Sequence, residues 1–267
     1  MPPLVQSLSP QDPRVGGYLA VDRGRHLFHL GLLEHPESEE TTVSAALRRD
    51  GSLAGVALLY REGPRVKLLA ACNPATMGHL LSRMDLPERL AFQLESDLLP
   101  PFLRTYRVEW SKSFLTSLLS RRSGIQRQDG VRRLVPGDFP ALQRLAVWVP
   151  EVEASRIQFH ARPFVGFFSP DGELVAVAGA QVLSSGFGVA AIGNVGVHPG
   201  FRRVGWGRRV VLALLAELTG QADIIGLQVA EENEPARRLY DTLGFQSIGR
   251  RIMGIASRIV AKSHLFR

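Results

Sequence analysis

Apolar residues alternate along some stretches of the chain and recur every three to four residues in others. The first rhythm predicts strands and the second helices. The spacing predicts a helix over 17–34, with Leu19, Phe28, Leu30 and Leu33 among its apolar positions. Strand-like runs follow at 42–49 and 53–60, separated by the hairpin signal Asp50-Gly51, and again at 66–71. A short helix is predicted near 76–84, an apolar alternation at 90–94, a helical stretch at 98–105 and a strand at 106–115. A polar stretch then interrupts both rhythms. Arg121-Arg122-Ser123-Gly124 and the run from Gln126 to Gly130 read as a linker or a strand-to-strand turn.

The second half repeats that order. A strand at 131–135 leads into a helical run reaching Val149, with Asp138 as its expected N-cap. A shorter helix is predicted at 152–161. Strands at 164–168 and 174–183 flank the turn Ser169-Pro170-Asp171-Gly172, and a third spans 188–197. A helix at 208–218, a strand at 224–229, a helix at 234–243 and a strand from Phe245 complete the order. The expectation is α+β in each half, with a mixed sheet. It gives two domains of one architecture, 1–125 and 129–267, with no residue-level repeat between them.

With 267 residues, 45% hydrophobic and 21% charged, the chain can bury an ordinary core, and this composition excludes a disordered or fibrous chain. No apolar run approaches the ~18 residues that span a bilayer. The start, Met1-Pro2-Pro3-Leu4, lacks a basic stretch followed by an apolar one. A cytoplasmic protein without membrane contact is expected. The single cysteine, Cys72, excludes an internal disulfide and a cysteine-based zinc cluster, and it is read as a small buried apolar residue. The seven histidines show no metal-binding spacing, so no metal is expected. Lys and Arg outnumber Asp and Glu 32 to 25, a net charge of +7, and 29 of the 32 are arginines. That surface suits a polyanionic small molecule as well as nucleic acid, and no nucleic-acid motif accompanies it.

The most informative segment runs from Val197 through His198-Pro199-Gly200-Phe201-Arg202-Arg203-Val204-Gly205-Trp206 to Gly207. It follows a strand and opens a helix. Gly205 and Gly207 allow close backbone approach, and the amides of the first helical turn point towards a phosphate or pyrophosphate. Arg202 and Arg203 add charge at the rim. Downstream, Asn233-Glu234-Pro235-Ala236-Arg237-Arg238-Leu239-Tyr240-Asp241-Thr242-Leu243-Gly244-Phe245 has the form N-x-x-A-x-x-L-Y-x-x-x-G-F. Together, one helix and one strand apart, the two segments resemble the GNAT acyltransferase superfamily. The motifs cover about 190–245 and the family-like element order about 129–267. The first half lacks both motifs and is similar only in element order, as in tandem members with a degenerate first domain.

The resemblance implies a GNAT-like mixed central sheet flanked by helices. It also implies acetyl-CoA, or another acyl-CoA, as co-substrate, and an amine acceptor that is a small molecule or a protein. Nucleic acid is not expected as a partner, and homo-oligomerisation is left open. The main chain of Val195 and Val197 would hold the pantetheine where the strand at 192–197 splays from that at 227–229. The main chain from Arg202 to Gly207 (Arg202, Arg203, Val204, Gly205, Trp206, Gly207), with Arg208, would hold the pyrophosphate. Asn233 matches a pantetheine-contacting position and reads equally as the N-cap of the helix after it. Tyr240 matches the general acid, against a plain packing role. The Val197 amide is the candidate oxyanion donor.

The strand Ala190-Ala191-Ile192-Gly193-Asn194-Val195-Gly196-Val197 carries no carboxylate, although many family members have a glutamate there. Asn194 would at most hold a water. Glu153 is the candidate base, with Glu151 and His160 as alternatives, each also readable as a solvated surface residue. Trp148, Phe164, Phe167 and Phe168 read as core rather than acceptor pocket. Asp22, Arg23 and Arg25 read as a polar helix face, and Arg250, Arg251, Arg258, Lys262 and Arg267 as a solvated strand face. The sequence thus points to an N-acyltransferase; the alternative is an acyl-CoA-binding regulatory protein without catalysis.

Overall fold

The computed structural model describes residues 3–34, 41–62, 64–122, 125–153 and 155–259. Ser123, Gly124, Lys262 and Arg267, singled out above, lie outside them. The element order is β1 (Leu4–Leu8), α1 (Pro13–Ala20), α2 (Leu27–Leu33), β2 (Thr41–Leu47), β3 (Leu53–Glu62), β4 (Arg65–Ala71), α3 (Pro74–Leu81), β5 (Arg89–Glu95), α4 (Leu99–Phe102) and β6 (Tyr106–Leu119). There follow β7 (Val131–Arg133), α5 (Phe139–Trp148), α6 (Arg156–Ala161), β8 (Phe164–Phe168), β9 (Leu174–Ser184), β10 (Val189–Val197), α7 (Trp206–Leu218), β11 (Ile224–Ala230), α8 (Glu234–Thr242) and β12 (Phe245–Arg258). Mixed sheet and flanking helices agree with the sequence expectation.

Contacts divide the chain into two units, and the division is not one cut. The first unit comprises Met1–Asp22, Glu37–Phe114 and Arg250–Arg267; the second comprises Arg23–Pro36 and Leu115–Gly249. The helix expected over 17–34 is in fact two, α1 and α2, and they fall in different units.

In the first unit the strand order is β1-β2-β3-β4-β5-β12-β6, antiparallel except for β4 and β5. A core of Leu68, Leu80, Phe92, Phe102 and Tyr106 fills one face, with the Phe102 and Tyr106 rings stacked 5.0 Å apart. The parallel pair ends at Leu69 and Gln93. The helix after β4 begins at Pro74, and Asn73 caps it by accepting the Thr76 N–H at 2.9 Å. A side chain of the protein thus occupies the place where an anion would approach. Cys72 is half-buried, and burial pushes its thiol up to about 12. Arg251 is buried and paired with Glu95 at 3.0 Å, and Arg258 donates to the Leu86 carbonyl at 3.0 Å. Arg251 does not belong to a solvated face, whereas Arg250 and Arg258 are exposed as expected.

In the second unit the order is β12-β6-β11-β10-β9-β8-β7, and β10 and β11 are the parallel pair. Helix α7 covers one face through Val210, Val211, Leu214, Leu215 and Leu218, which follow helical spacing. On the other face α5 packs Phe139, Leu142 and Leu145 against Phe164 and Val177. Helix α2 packs on β9 and β10, and Gly31 lies so close to Val182 that a Cβ there would stand 2.4 Å from its Cγ1. Arg23 donates to the Phe187 carbonyl at 2.9 Å and pairs with Asp223 at 3.3 Å, and Glu34 accepts from Ser184 Oγ at 2.7 Å. Arg23 is therefore an anchor in the turn between α1 and α2, not part of a helix face. Asp138 does not cap α5. Its carboxylate accepts the Val135 N–H at 2.8 Å and pairs with Arg132 at 2.8 Å, closing the short turn before the helix.

Candidate active site

The site begins where β10 leaves its neighbours. Its pairing with β11 runs from Val189 and Ile224 to Ile192 and Leu227 and stops there. Two irregularities meet at this point. On β9, Gln181 is an extra residue between the partners of Ala191 and Ile192. On β10, Asn194 and Val195 intervene between the partners Gly193–Gly179 and Gly196–Val177, and Asn194 takes a φ of 50°. The bulges turn the end of β10 aside and leave a gap towards β11. This is the divergence expected beside Val195 and Val197. The His198 N–H donates to the Val175 carbonyl at 2.8 Å. In an antiparallel ladder the preceding residue then turns its own N–H and C=O away from β9, towards the gap.

Below the gap the chain turns through Pro199–Phe201, and α7 starts after Gly205, whose φ of 92° disfavours any side chain. Arg203 also has positive φ, 65°. The N–H groups of Trp206, Gly207 and Arg208 open the helix and have no acceptor inside it. The segment 202–205 is exposed, with Val204 68% exposed. This arrangement of backbone donors fits a diphosphate. Nothing in the folded chain demands glycine at 207, where a Cβ would make ordinary 3.7 Å contacts with Leu239 and Val197.

Side-chain contacts add detail at Arg202 and Trp206. Arg202 does not simply add charge at the rim: its Nε donates to the Val197 carbonyl at 3.0 Å, so this carbonyl is already engaged and the N–H is what Val197 offers. The Trp206 indole stacks on Phe167 at 3.4 Å with Arg209 over it at 4.9 Å, leaving its main chain for a ligand. Phe164 is buried as expected, but Trp148 is 60% exposed and meets His198 edge-on at 5.4 Å.

Helix α8 joins the apolar cluster of this unit through Ala236, Leu239 and Tyr240. Asn233 is its N-cap, with Oδ1 accepting the Ala236 N–H at 3.2 Å. Tyr240 is buried against Phe245, rings 5.8 Å apart, in the apolar cluster that Val195, Val197 and Trp206 also join. Its hydroxyl makes no hydrogen bond among the described residues, and burial pushes it up to about 12. The structure thus gathers Val195, Val197, Trp206 and Tyr240 in one apolar cluster, with Asn233 at the start of the helix that carries Tyr240.

Glu153 reaches the site through its main chain. Its N–H donates to Asn194 Oδ1 at 2.9 Å, while its side chain is exposed. Asn194 Oδ1 is therefore engaged by the chain. The segment leading to Glu153 lies against Gly196, where a Cβ would sit 2.6 Å from Val152 Cγ2. Glu151 is exposed, and His160 stands beside Phe139 and Phe159 at 6.5 and 6.0 Å. Sequence reading missed the bulges, although glycines at 193 and 196 inside a strand signal a bulge or close approach. It also missed Arg162, which is 9% exposed.

Comparison with known proteins agrees with this geometry. Residues 130–245 match the acetyltransferase (GNAT) family, a segment containing the gap, the turn and α8. Those residues are a GNAT-family domain. Solved structures of similar fold include a putative GNAT acetyltransferase from Novosphingobium aromaticivorans, 20% identical, covering 86% of this chain and 96% of that one at a TM-score of 0.63. A Drosophila protein is 17% identical over 96% of this chain and 98% of its own, with a TM-score of 0.68. A tandem GNAT protein from the clavulanic acid biosynthesis pathway is 15% identical over 97% of this chain and all of its own, with a TM-score of 0.60. These likenesses show a shared fold, including that of a tandem GNAT protein. No curated protein sequence matches the chain. The GNAT family uses acetyl-CoA as co-substrate and acts on amine acceptors. Among the described residues no group of three or more His, Cys, Asp or Glu is placed to hold a metal, and no helix is long and apolar enough to cross a membrane.

Proposed function

We propose that the chain is an N-acyltransferase moving an acetyl or other short acyl group from acyl-CoA to a primary amine by direct attack. The observation that carries this reading is the gap between β10 and β11, which ends at a helix opened by Gly205 with its backbone donors exposed. The main chain of Val195 and the Val197 N–H would receive the pantetheine as an added strand is received. Of the amides from Arg202 to Gly207, that of Arg202 is bonded to the Pro199 carbonyl at 3.4 Å, and those from Arg203 to Gly207, with Arg208 beside them, would receive the pyrophosphate. Asn233 keeps its capping role and has an amide nitrogen left to donate. Among the described residues only the second unit has this turn, so one acyl-CoA is bound per chain, by that unit, while the first is degenerate.

In the reaction a neutral amine attacks the thioester carbonyl carbon, the carbon–sulfur bond breaks, and the amine nitrogen loses a proton. The Val197 N–H donates to the carbonyl oxygen as charge grows on it. The Tyr240 hydroxyl, raised by burial, stays protonated at any working pH, as a donor must. A hydroxyl this weakly acidic would donate a hydrogen bond to the developing thiolate, and the proton that ends on sulfur would be replaced through solvent by the one the amine loses. Glu153, held beside the bulge by its main chain, is the candidate to take the amine proton.

The absence of a carboxylate on β10 favours the second reading, an acyl-CoA-binding regulatory protein. Calorimetry with acetyl-CoA, combined with thiol release over a broad amine panel, separates the two. Tight binding with no release on any amine leaves only the regulatory reading, and no binding removes both.

A further inference from the structure

A buried arginine close to the gap has no place in the chemistry above. Arg162 follows α6 and is 9% exposed. Its guanidinium donates to the carbonyl of Gln181, the extra residue of the β9 bulge. That bulge lies beside Ile192, the last residue of β10 to pair with β11. The Gln181 side chain lies over Gly193, where a Cβ would come 2.9 Å from its Cβ and its Oε1. Gly193 precedes Asn194, which holds Glu153. Arg162 and Gln181 therefore lie on the β9 side of the irregular stretch of β10 where its pairing with β11 has just ended, and Asn194, with Glu153 bonded to it, lies on that stretch.

Among the described residues no carboxylate pairs with Arg162. Burial alone perturbs it, lowering the guanidinium to about 10. A guanidinium at this depth without an acid is costly, and one carbonyl does not compensate it. Its planar fork of five donors matches a carboxylate, and one bond to Gln181 leaves most of that fork unused.

We propose that Arg162 binds a carboxylate carried by the amine acceptor, so that the acceptor is an amino acid or a similar acidic amine. This rests on the acyltransferase reading. The bound carboxylate supplies the missing counter-charge and orients the amine towards the gap. Arg162 touches the acceptor away from the reacting atoms and so determines specificity.

The test uses matched pairs, each an amino acid and its carboxamide, with the full-length protein and acetyl-CoA. The carboxamide has the less basic amine and is intrinsically the more available nucleophile, so a preference for the carboxylate would oppose inherent reactivity. We expect kcat/KM to favour the amino acid of the best pair by ~100-fold or more, as for a site built to bond a polar group that the competitor lacks. In Arg162→Met the ratio should fall to about one. Arg162→Lys, which keeps charge but loses the fork, should give an intermediate ratio and covers the case in which the methionine variant does not fold. Acetyl-CoA affinity by calorimetry serves as the folding control. A wild-type ratio near one, or one unchanged in both variants, overturns the proposal. If no amine is turned over, the acyltransferase reading fails, and calorimetry of the same pairs with coenzyme A present decides this one. Saturable binding of the amino acid that Arg162→Met abolishes supports a carboxylate site; equal or absent binding of both overturns it.

Discussion

Asn194 on β10 accepts the backbone N–H of Glu153, 41 residues earlier in the chain, at 2.9 Å. One side chain thus joins the bulge that opens the gap to the segment carrying the candidate base. Asn194 also holds a positive φ that asparagine tolerates better than most residues.

Replacing Asn194 therefore removes two things at once. Asn194→Ala should destabilise the protein by about 1–3 kcal/mol, combining a lost hydrogen bond with left-handed strain. Asn194→Asp keeps the acceptor and should stay nearer the wild type. Urea denaturation of the two variants checks the order, and an equal loss in both would remove the hydrogen bond from the account.

Gly205→Glu should abolish measurable acyl-CoA binding, because it puts a side chain and negative charge where phosphates approach at a φ of 92°. Asn73→Gly in the first unit uncaps α3 and should leave the binding stoichiometry at one. Calorimetry reports both, and two equal sites per chain would contradict the assignment.

For Tyr240→Phe, acetyl-CoA affinity should be nearly unchanged, since the ring's packing against Phe245 remains. Turnover with a real acceptor should fall by ~100-fold, the low end for a general acid. An unaltered rate would reduce Tyr240 to a packing residue.

The same substitution has a pH signature. Burial raises the Tyr240 hydroxyl from 10.0 to about 12, so the folded protein retains a proton that the unfolded chain loses first. That contribution is fully present below pH 10 and is lost as pH rises through 12. Tyr106, also raised to about 12, acts in the same sense. Thermal melts from pH 9 upward should show a shallower decline for Tyr240→Phe than for the wild type.

Gly31→Ala places a methyl 2.4 Å from Val182 Cγ1 and should cost ~1–3 kcal/mol as an overpacked contact. Val182→Ala should recover part of that loss. A double-mutant cycle in denaturant measures the coupling, and simple additivity would show that α2 does not press on β9.

Some of this was legible because it is local. The turn from Val197 to Gly207 and the cap at Asn233 each depend on residues a few positions apart, and both appear as expected. The Tyr240 environment was half-legible: the motif marked the residue, but its burial depends on Phe245 and a cluster drawn from several strands. The errors are equally specific. A helical rhythm continued across the break between α1 and α2, because apolar residues on either side kept the spacing. Asp138 stood where a cap belongs, yet its carboxylate serves Arg132 and Val135.

The sequence by itself determined the order of strands and helices, the helix opened by Gly205 and the family to which the motifs belong. Backbone preference and capping act between near neighbours in the chain. The tertiary structure decided that α2 belongs with the second unit, with Glu34 bonded to Ser184 150 residues away. It also decided that Asn194 holds Glu153 and that Arg162 is buried without an acid among the described residues. These follow from strand register and from which faces pack together. A one-residue bulge changes which side chains meet there, and no local pattern of residues records that choice.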